Sequence, residues 1–376
     1  YRRQCNCSYW HGAFGGAYLP HLRNAVFNHL IAADNLLDRH AGRGWEAGQE
    51  PWVELTAQDF NLDGRPEVCL ASNRLVALLA PAAGGQLYEL DVRTICHNLL
   101  ATLSRRPETY HRKVAAGPSN EGDNVASIHD RVVFKQEGLQ NRLQYDKYPR
   151  KSLLDHFYDL DTSLEAVATG EAHEWGDFIF GTYEARLRRN PQRMQLQLSR
   201  QGIVGGQSLR VTKRLTLHAG GDELKIEYEL ENLPNDGPIH FAVEFNLAGL
   251  PAGADDRYFR DHNGQSLGHL GERLDLIDVT TLGLTDEWLG IDVSFTADQP
   301  TAFWTFPIET VSQSEGGFEL VHQSVVVEPH WLVQPDADGR WTANIRLAID
   351  TTRAVERMAP TDPSAASESD AMMTAS

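Results

Sequence analysis

Three short stretches carry side chains whose types and spacing can do chemistry. The first is QCNCSYWHGAFGG at residues 4–16, where two cysteines, Tyr9, Trp10, His11 and a Gly-Gly pair fall within thirteen positions. A metal site, a redox site, a sugar-binding edge and the edge of something larger are all readings of that cluster. Cys5 and Cys7 are spaced C-x-C with no second pair, and His11 and His21 complete no zinc spacing, so small buried thiols are the favoured reading of the cysteines. The second stretch, DFNLDGRPE, sets Asp59, Asn61 and Asp63 at alternate positions, with Gly64 for the turn and Glu67 beyond. That is the opening half of a calcium loop, but the twelfth position is Leu70 and strand pattern flanks it. An Asx-rich turn without metal has the same sequence. The third is IHFAVEFNL, where two-residue alternation puts His240, Ala242, Glu244 and Asn246 on one face of a strand. A His, a Glu and an Asn so aligned suit acid–base work on a sugar; a polar, solvated outer face reads the same way, and is favoured.

The elements that must position these residues are legible in the periodicity. From Tyr18 to Arg39 the residues Leu22, Ala25, Val26, His29, Leu30, Ala33, Leu36 and Leu37 recur at three- and four-residue spacing, which predicts one amphipathic helix with an apolar stripe in need of a partner. Pro20 suits a first helical turn and Gly42 lies just past the end. After Gly48, runs rich in Val, Leu, Phe and Tyr alternate with Gly, Pro, Asn and Asp clusters. Glu67–Leu70, Leu75–Ala80, Gln86–Leu90, Ala185–Arg189, Met194–Leu198, Ser208–Leu217, Glu223–Leu230, His240–Leu247, Ala302–Phe306 and Trp341–Ile349 are such runs, and they predict a large antiparallel sandwich. Ser104–Asp130 reads as a loop or a helical excursion, and Trp175, Trp304 and Trp331 as core. The expected division is an N-terminal helical segment over 1–48, a β-sandwich over 49–355 and a disordered tail over 356–376.

Composition narrows the partners. The 34 basic and 52 acidic residues give a net charge of −18, which argues against nucleic acid and anionic membrane surfaces. A neutral ligand such as a sugar is compatible with it. No run reaches the roughly 18 apolar residues of a membrane helix. Tyr1-Arg2-Arg3 leads into polar and aromatic residues, unlike a secretory leader, which suggests a cut from a longer chain. Four cysteines in 376 residues make no disulfide framework, and a reduced, cytoplasmic setting is expected. No required cofactor is indicated, calcium at the Asp59 loop being the one candidate, and a homodimer is compatible with what is seen. Glycoside chemistry needs two carboxylates defined by their separation in space, and with 52 acidic residues no pair can be nominated.

The segment QCNCSYWHGAFGGAYLPHLR closely resembles the last characteristic stretch of the catalytic region in glycoside hydrolase family 57, the α-amylase and 4-α-glucanotransferase group. The resemblance continues through DFNLDGRPEV, GGQLYELD, PRKSLLDHF and GDFIFGTYE, to about residue 350. It implies the C-terminal part of such an enzyme: a mainly β fold, with a large antiparallel sandwich resembling the galactose-mutarotase-like supersandwich, preceded by a short helical segment. The group's incomplete catalytic barrel, its glutamate nucleophile and its aspartate acid/base lie upstream of this stretch, so the resemblance puts no catalytic carboxylate in this chain. It implies an α-1,4-glucan (starch, glycogen or maltodextrin) as substrate, processed with retention, and the missing N-terminal catalytic domain as partner. Tyr9, Trp10, His11 and Gly12 are then expected beside the donor glucose, since an aromatic face packs on a sugar's C–H surface and an imidazole hydrogen-bonds a hydroxyl. Where members often carry an acid after the Asn of this stretch, this chain has Cys7. Two alternatives stand beside this reading: a non-catalytic carbohydrate-binding or structural module, and a mutarotase-like enzyme using His240 and Glu244.

Overall fold

The structure is a computed structural model that describes residues 6–11, 15–44, 50–117, 134–235, 237–314 and 316–358. A first sheet of five antiparallel strands runs in chain order: β1 (Val53–Gln58), β2 (Glu67–Ser72), β3 (Leu75–Ala80), β4 (Gln86–Val92) and β5 (His97–Asn98). The second sheet holds twelve: β6 (Leu154–Tyr158), β7 (Glu184–Asn190), β8 (Arg193–Val204), β9 (Gln207–His218), β10 (Glu223–Glu231), β11 (Ile239–Ala248), β12 (Arg257–Arg260), β13 (Ser266–His269), β14 (Leu274–Asp286), β15 (Ile291–Ser314), β16 (Gly317–Val333) and β17 (Arg340–Asp350). Each expected run lies inside one of these strands, and the fold is mainly antiparallel β, as the alternation predicted.

One apolar core joins the two sheets, from Leu55 and Leu70 of the first to Phe241, Phe295 and Leu347 of the second. The long β15 divides the second sheet: its first half pairs with β17 and its second half with β16, across a bulge at Ile308/Glu309. The β16 strand then pairs with β11, and β11 with the short β6. These three strands are buried on both faces. Alternate residues Phe241, Val243 and Phe245 enter the main core, while Ala242, Tyr158 and Val326 meet Trp304, Phe306 and α3 (Leu164–Thr169) on the other side. An antiparallel sheet with one wet face was the simpler expectation; the segment 143–180 covers that face instead.

Helix α1 (Pro20–His40) forms where predicted, with Pro in its first turn, and it turns a mostly polar side to the sandwich. Its buried residues are Arg23, Ile31 and Asn35. Arg23 Nε donates to Ala101 O at 3.1 Å and Asn35 Nδ2 to Arg93 O at 2.8 Å, and Arg93 pairs with Asp38. Polar donors on the helix thus satisfy carbonyls of the loops beneath. The expected apolar stripe is half-buried at Leu22, Val26 and Ala33 and faces outward towards its end, with Leu36 and Leu37 exposed at 63% and 69%. The loop region after Ser104 contains α2 (His111–Ala115), and residues 118–133 lie outside the described residues. The tail expected from residue 356 starts inside α4 (Thr352–Met358), and 359–376 lie outside the described residues. Among the described residues no helix is long and apolar enough to cross a membrane.

Candidate functional site

The N-terminal cluster is an exposed aromatic pair on a packed base. Tyr9 and Trp10 are 62% and 58% exposed. Beneath them His11 packs edge-on to Tyr18 at 5.4 Å and against Tyr110 at 4.8 Å, and burial lowers its pKa. The backbone is pinned where Ala17 N donates to Trp10 O at 2.9 Å. Gly16, at φ +53°, makes this possible, since a Cβ there would sit 2.1 Å from Trp10 O. Tyr18 O accepts from Gln323 Nε2 at 2.9 Å and Tyr18 Oη donates to Glu108 at 2.5 Å. Gly12 and Cys5 lie outside the described residues. Cys7 is exposed, contrary to the buried thiol expected.

The Asp59 loop joins β1 to β2 and is closed by its own backbone. Asp59 accepts from Asp63 N and Gly64 N at 3.0 and 2.9 Å, and Asp63 Oδ1 from Arg65 N at 2.8 Å. Asn61 Oδ1 also accepts from Asp63 N, at 2.9 Å. Glu67, buried, accepts from Phe60 N at 2.9 Å and from Asn61 Nδ2 at 3.0 Å. The four residues therefore converge on one another's N–H groups. Among the described residues no group of three or more His, Cys, Asp or Glu is placed to hold a metal ion, so in this conformation the donor set does not fit a cation.

The face of β11 that carries His240, Glu244 and Asn246 has the predicted alternation but is not solvated. All three are buried. His240 contacts Asp159 O at 3.1 Å through Nδ1 and His330 Nδ1 at 3.0 Å through Nε2. Asn246 donates to Lys151 O at 3.0 Å and to Glu244 at 2.5 Å. Glu244 further accepts from Tyr148 Oη at 2.7 Å and from Arg150 at 3.0 Å, and His156 Nε2 lies 3.3 Å away. The register of β11 with β16, set by Ala242↔His330 and Phe245↔Val327, brings Glu244 opposite Glu328. Two carboxylates thus sit side by side on adjacent strands, a placement in which like charges repel.

Their surroundings resolve that repulsion. Burial raises the pKa of Glu244, but Arg150 and His156 outweigh it and hold the carboxyl well below the usual range, so it is ionised. Burial pushes Glu328 up to about 7, against the pull of His156 and with the repulsion of Glu244 adding to the rise. Burial lowers His156, but the carboxylates Glu174 and Glu244 prevail and raise it to about 10, so the ring is an imidazolium at neutral pH. Burial keeps the phenols of Tyr148 and Tyr158 protonated. Pairs of titratable groups pushed apart in this way mark functional-site candidates.

Above this network lies a cavity of about 580 Å³, with Arg150, His156 and Tyr158 in its floor and Tyr145, Glu174 and Phe180 among its walls. Arg150 is fixed from behind by Asp146 at 2.8 Å, and the same carboxylate holds Arg105 at 2.7 Å. Tyr145 at the rim ends a row of packed rings that begins beside Trp10 and runs through His11, Tyr110 and His111. Sequence reasoning named Glu244 but missed Tyr148, Arg150, His156, Glu174 and Glu328. The available signal was SVVVEPHW, where one carboxylate interrupts a run of valines, because an acid in a strand buried on both faces needs a partner.

Comparison with known proteins places the chain. The family model described as alpha-amylase/4-alpha-glucanotransferase, C-terminal, matches residues 59–345, and the model of the middle domain of the same enzymes matches residues 1–37. The chain is 30% identical over 356 residues to alpha-amylase 1 of Dictyoglomus thermophilum, covering 93% of this chain and 48% of that one. It is 32% identical over 325 residues to the 4-alpha-glucanotransferase of Thermococcus kodakarensis, covering 86% and 44% respectively. The crystal structure of the 4-alpha-glucanotransferase from Thermococcus litoralis superposes with a TM-score of 0.70 at 26% identity, over 92% of this chain and 45% of that one. The chain spans about half the length of the curated relatives it matches.

Proposed function

The chain belongs to the alpha-amylase/4-alpha-glucanotransferase family, and from that premise we propose that the whole protein cleaves α-1,4-linked glucans in the cytoplasm and passes the glycosyl unit to water or to another glucan. The reaction runs with retention, through a covalent glycosyl-enzyme, and both catalytic carboxylates belong to a catalytic domain outside these residues. This chain supplies one edge of the donor site: Trp10 and Tyr9 stack on glucose, and His11 hydrogen-bonds a hydroxyl. Self-association as a homodimer belongs to the same reading; calcium at the Asp59 loop does not, because the carboxylates there accept from the loop's own N–H groups.

The observation that supports this reading is the exposed aromatic pair beside the packed rings of His11, Tyr18 and Tyr110. Large apolar side chains grouped at a surface mark a site of binding, and the outward stripe of α1, with Leu30, Leu36 and Leu37 exposed, offers the surface on which a catalytic domain would rest. The test begins with the reading frame that contains Tyr1. The full-length enzyme should convert maltodextrin, and Trp10→Ala should lower kcat/KM at least tenfold while leaving the unfolding midpoint unchanged. A frame with no barrel carrying two catalytic carboxylates, or a Trp10→Ala enzyme with unaltered kinetics, would sink the proposal.

A further inference from the structure

We propose that the cavity above His156 binds one terminal hexose unit of an α-glucan, as a second carbohydrate site separate from the Tyr9–Trp10 edge. This rests on the glucan reading above and adds a site to it. At about 580 Å³ the cavity has the dimensions of a small-molecule site. Its chemistry is mixed in a way that matches a pyranose, which shows an apolar C–H face and a polar rim. Tyr145, Tyr148, Tyr158 and Phe180 provide ring surface, and His156 and Glu174 provide hydrogen-bonding groups beside it.

Two other ligand classes fit less well. A wholly apolar guest would displace water from the polar side of the cavity, His156 and Glu174 included, without offering a hydrogen bond in return, which is costly. An anionic guest would have to win Arg150 from Asp146 and Glu244, both buried with it, and breaking a buried pair is strongly unfavourable. The protein's net charge of −18 works in the same direction. A neutral polyhydroxylated guest disturbs none of these pairs.

The floor also has hydrogen-bonding capacity left over. His156 is fully buried, its Nδ1 is held by Glu174 at 2.8 Å, and its Nε2 lies 3.3 Å from the Glu244 carboxylate without reaching hydrogen-bond geometry. Glu328 lies beneath the floor, outside the cavity lining, with the Tyr158 hydroxyl beside it. Native proteins seldom leave such groups unmet, and a sugar hydroxyl oxygen can accept from the second N–H of the His156 imidazolium.

Maltotriose, maltose and glucose, titrated by calorimetry and by saturation-transfer NMR into the 376-residue chain, test the site, with inorganic phosphate as the anionic comparison. Maltotriose should bind, phosphate should not compete with it, and Tyr145→Ala combined with Phe180→Ala should weaken it at least tenfold. Both rim residues are exposed, so this variant keeps its fold. Tyr148→Phe, which keeps the ring and loses the hydroxyl, should change affinity less than the rim pair. Trp288→Ala, at an exposed aromatic elsewhere on the surface, should change nothing. Unaltered maltotriose binding in the rim variant, or displacement by phosphate, would overturn the proposal. So would a chain that binds no maltotriose while the full-length enzyme still converts maltodextrin, an outcome that leaves the family-based reading standing.

Discussion

Asp155 and His156 are adjacent in the chain and point to opposite faces of β6. Asp155 enters the core, where Lys213 Nζ lies at 2.9 Å and the hydroxyls of Tyr183 and Tyr228 donate at 2.5 and 2.7 Å. Lys213 gives its other two hydrogens to Leu153 O at 2.7 Å and Gly84 O at 3.0 Å. Every donor of the ammonium is used, and both carboxylate oxygens are engaged. His156 joins an equally buried group of charges, yet its Nε2 is met only loosely, by Glu244 at 3.3 Å, both oxygens of Glu328 are short of hydrogen-bond geometry, and a cavity opens beside the ring. The contrast separates two uses of buried charge. A saturated cluster ties strands together, and an unsaturated one beside a void has capacity for a guest.

The largest expected effect breaks the saturated cluster. Asp155→Asn leaves the Lys213 ammonium fully buried without a counter-charge, and should cost about 3–5 kcal/mol in denaturant unfolding. A loss under about 1 kcal/mol, the scale of a single neutral hydrogen bond, would mean that Asp155 is not the tie described.

The unsaturated cluster should respond to pH instead. Glu328 is raised from its ordinary 4.5 to about 7, so its contribution to stability is full below pH 4.5 and is lost as the pH rises through 7. His156, raised from 6.5 to about 10, loses its contribution over the higher window. Glu244, held low, acts in the opposite sense: its contribution is present above pH 4.5 and declines only in acid. Glu328→Gln should remove the fall between pH 4.5 and 7, and at pH 8 should be more stable than the parent by on the order of 3 kcal/mol. Parallel stability curves for the two proteins between pH 4 and 8 would refute that assignment.

The same pair of residues shows how far the sequence could be read. Strand positions were legible because alternation survives in almost every run, and β10 buries Leu224, Ile226, Tyr228 and Leu230 as LKIEYEL requires. The partners of Asp155 and His156 were not, because Lys213, Glu244 and Glu328 arrive from strands 58 to 172 residues away, and periodicity carries no information on which strands pair. Which side of α1 meets the sandwich was left open for a related reason. Its Leu stripe is the stronger local signal, but Arg23 and Asn35 find carbonyls to satisfy on the sandwich, so the polar side is the one buried. Tyr9, Trp10 and His11 could be named because they are contiguous. The cavity could not, since its floor and rim come from 145–180 folded over strands that only the register brings together.

The Asp59 loop gives the smallest expected effect, and it extends the comparison to the surface. Its carboxylates are as fully engaged as Asp155, but by backbone N–H groups of an exposed turn, so the saturation rule can be tested where burial plays little part. If saturation means that the loop is already complete, Asp59→Ala should cost about 1 kcal/mol, the worth of turn hydrogen bonds exposed to water. That cost should be the same with and without millimolar calcium, and calcium should leave the parent's unfolding midpoint unchanged. A midpoint that climbs with calcium concentration in the parent and stays level in Asp59→Ala is the signature of a ligand bound only by the folded state. It would show that Asp59, Asn61, Asp63 and Glu67 can exchange their N–H partners for a cation, and that a satisfied set of hydrogen bonds at an exposed loop, unlike one in the core, does not rule out a guest.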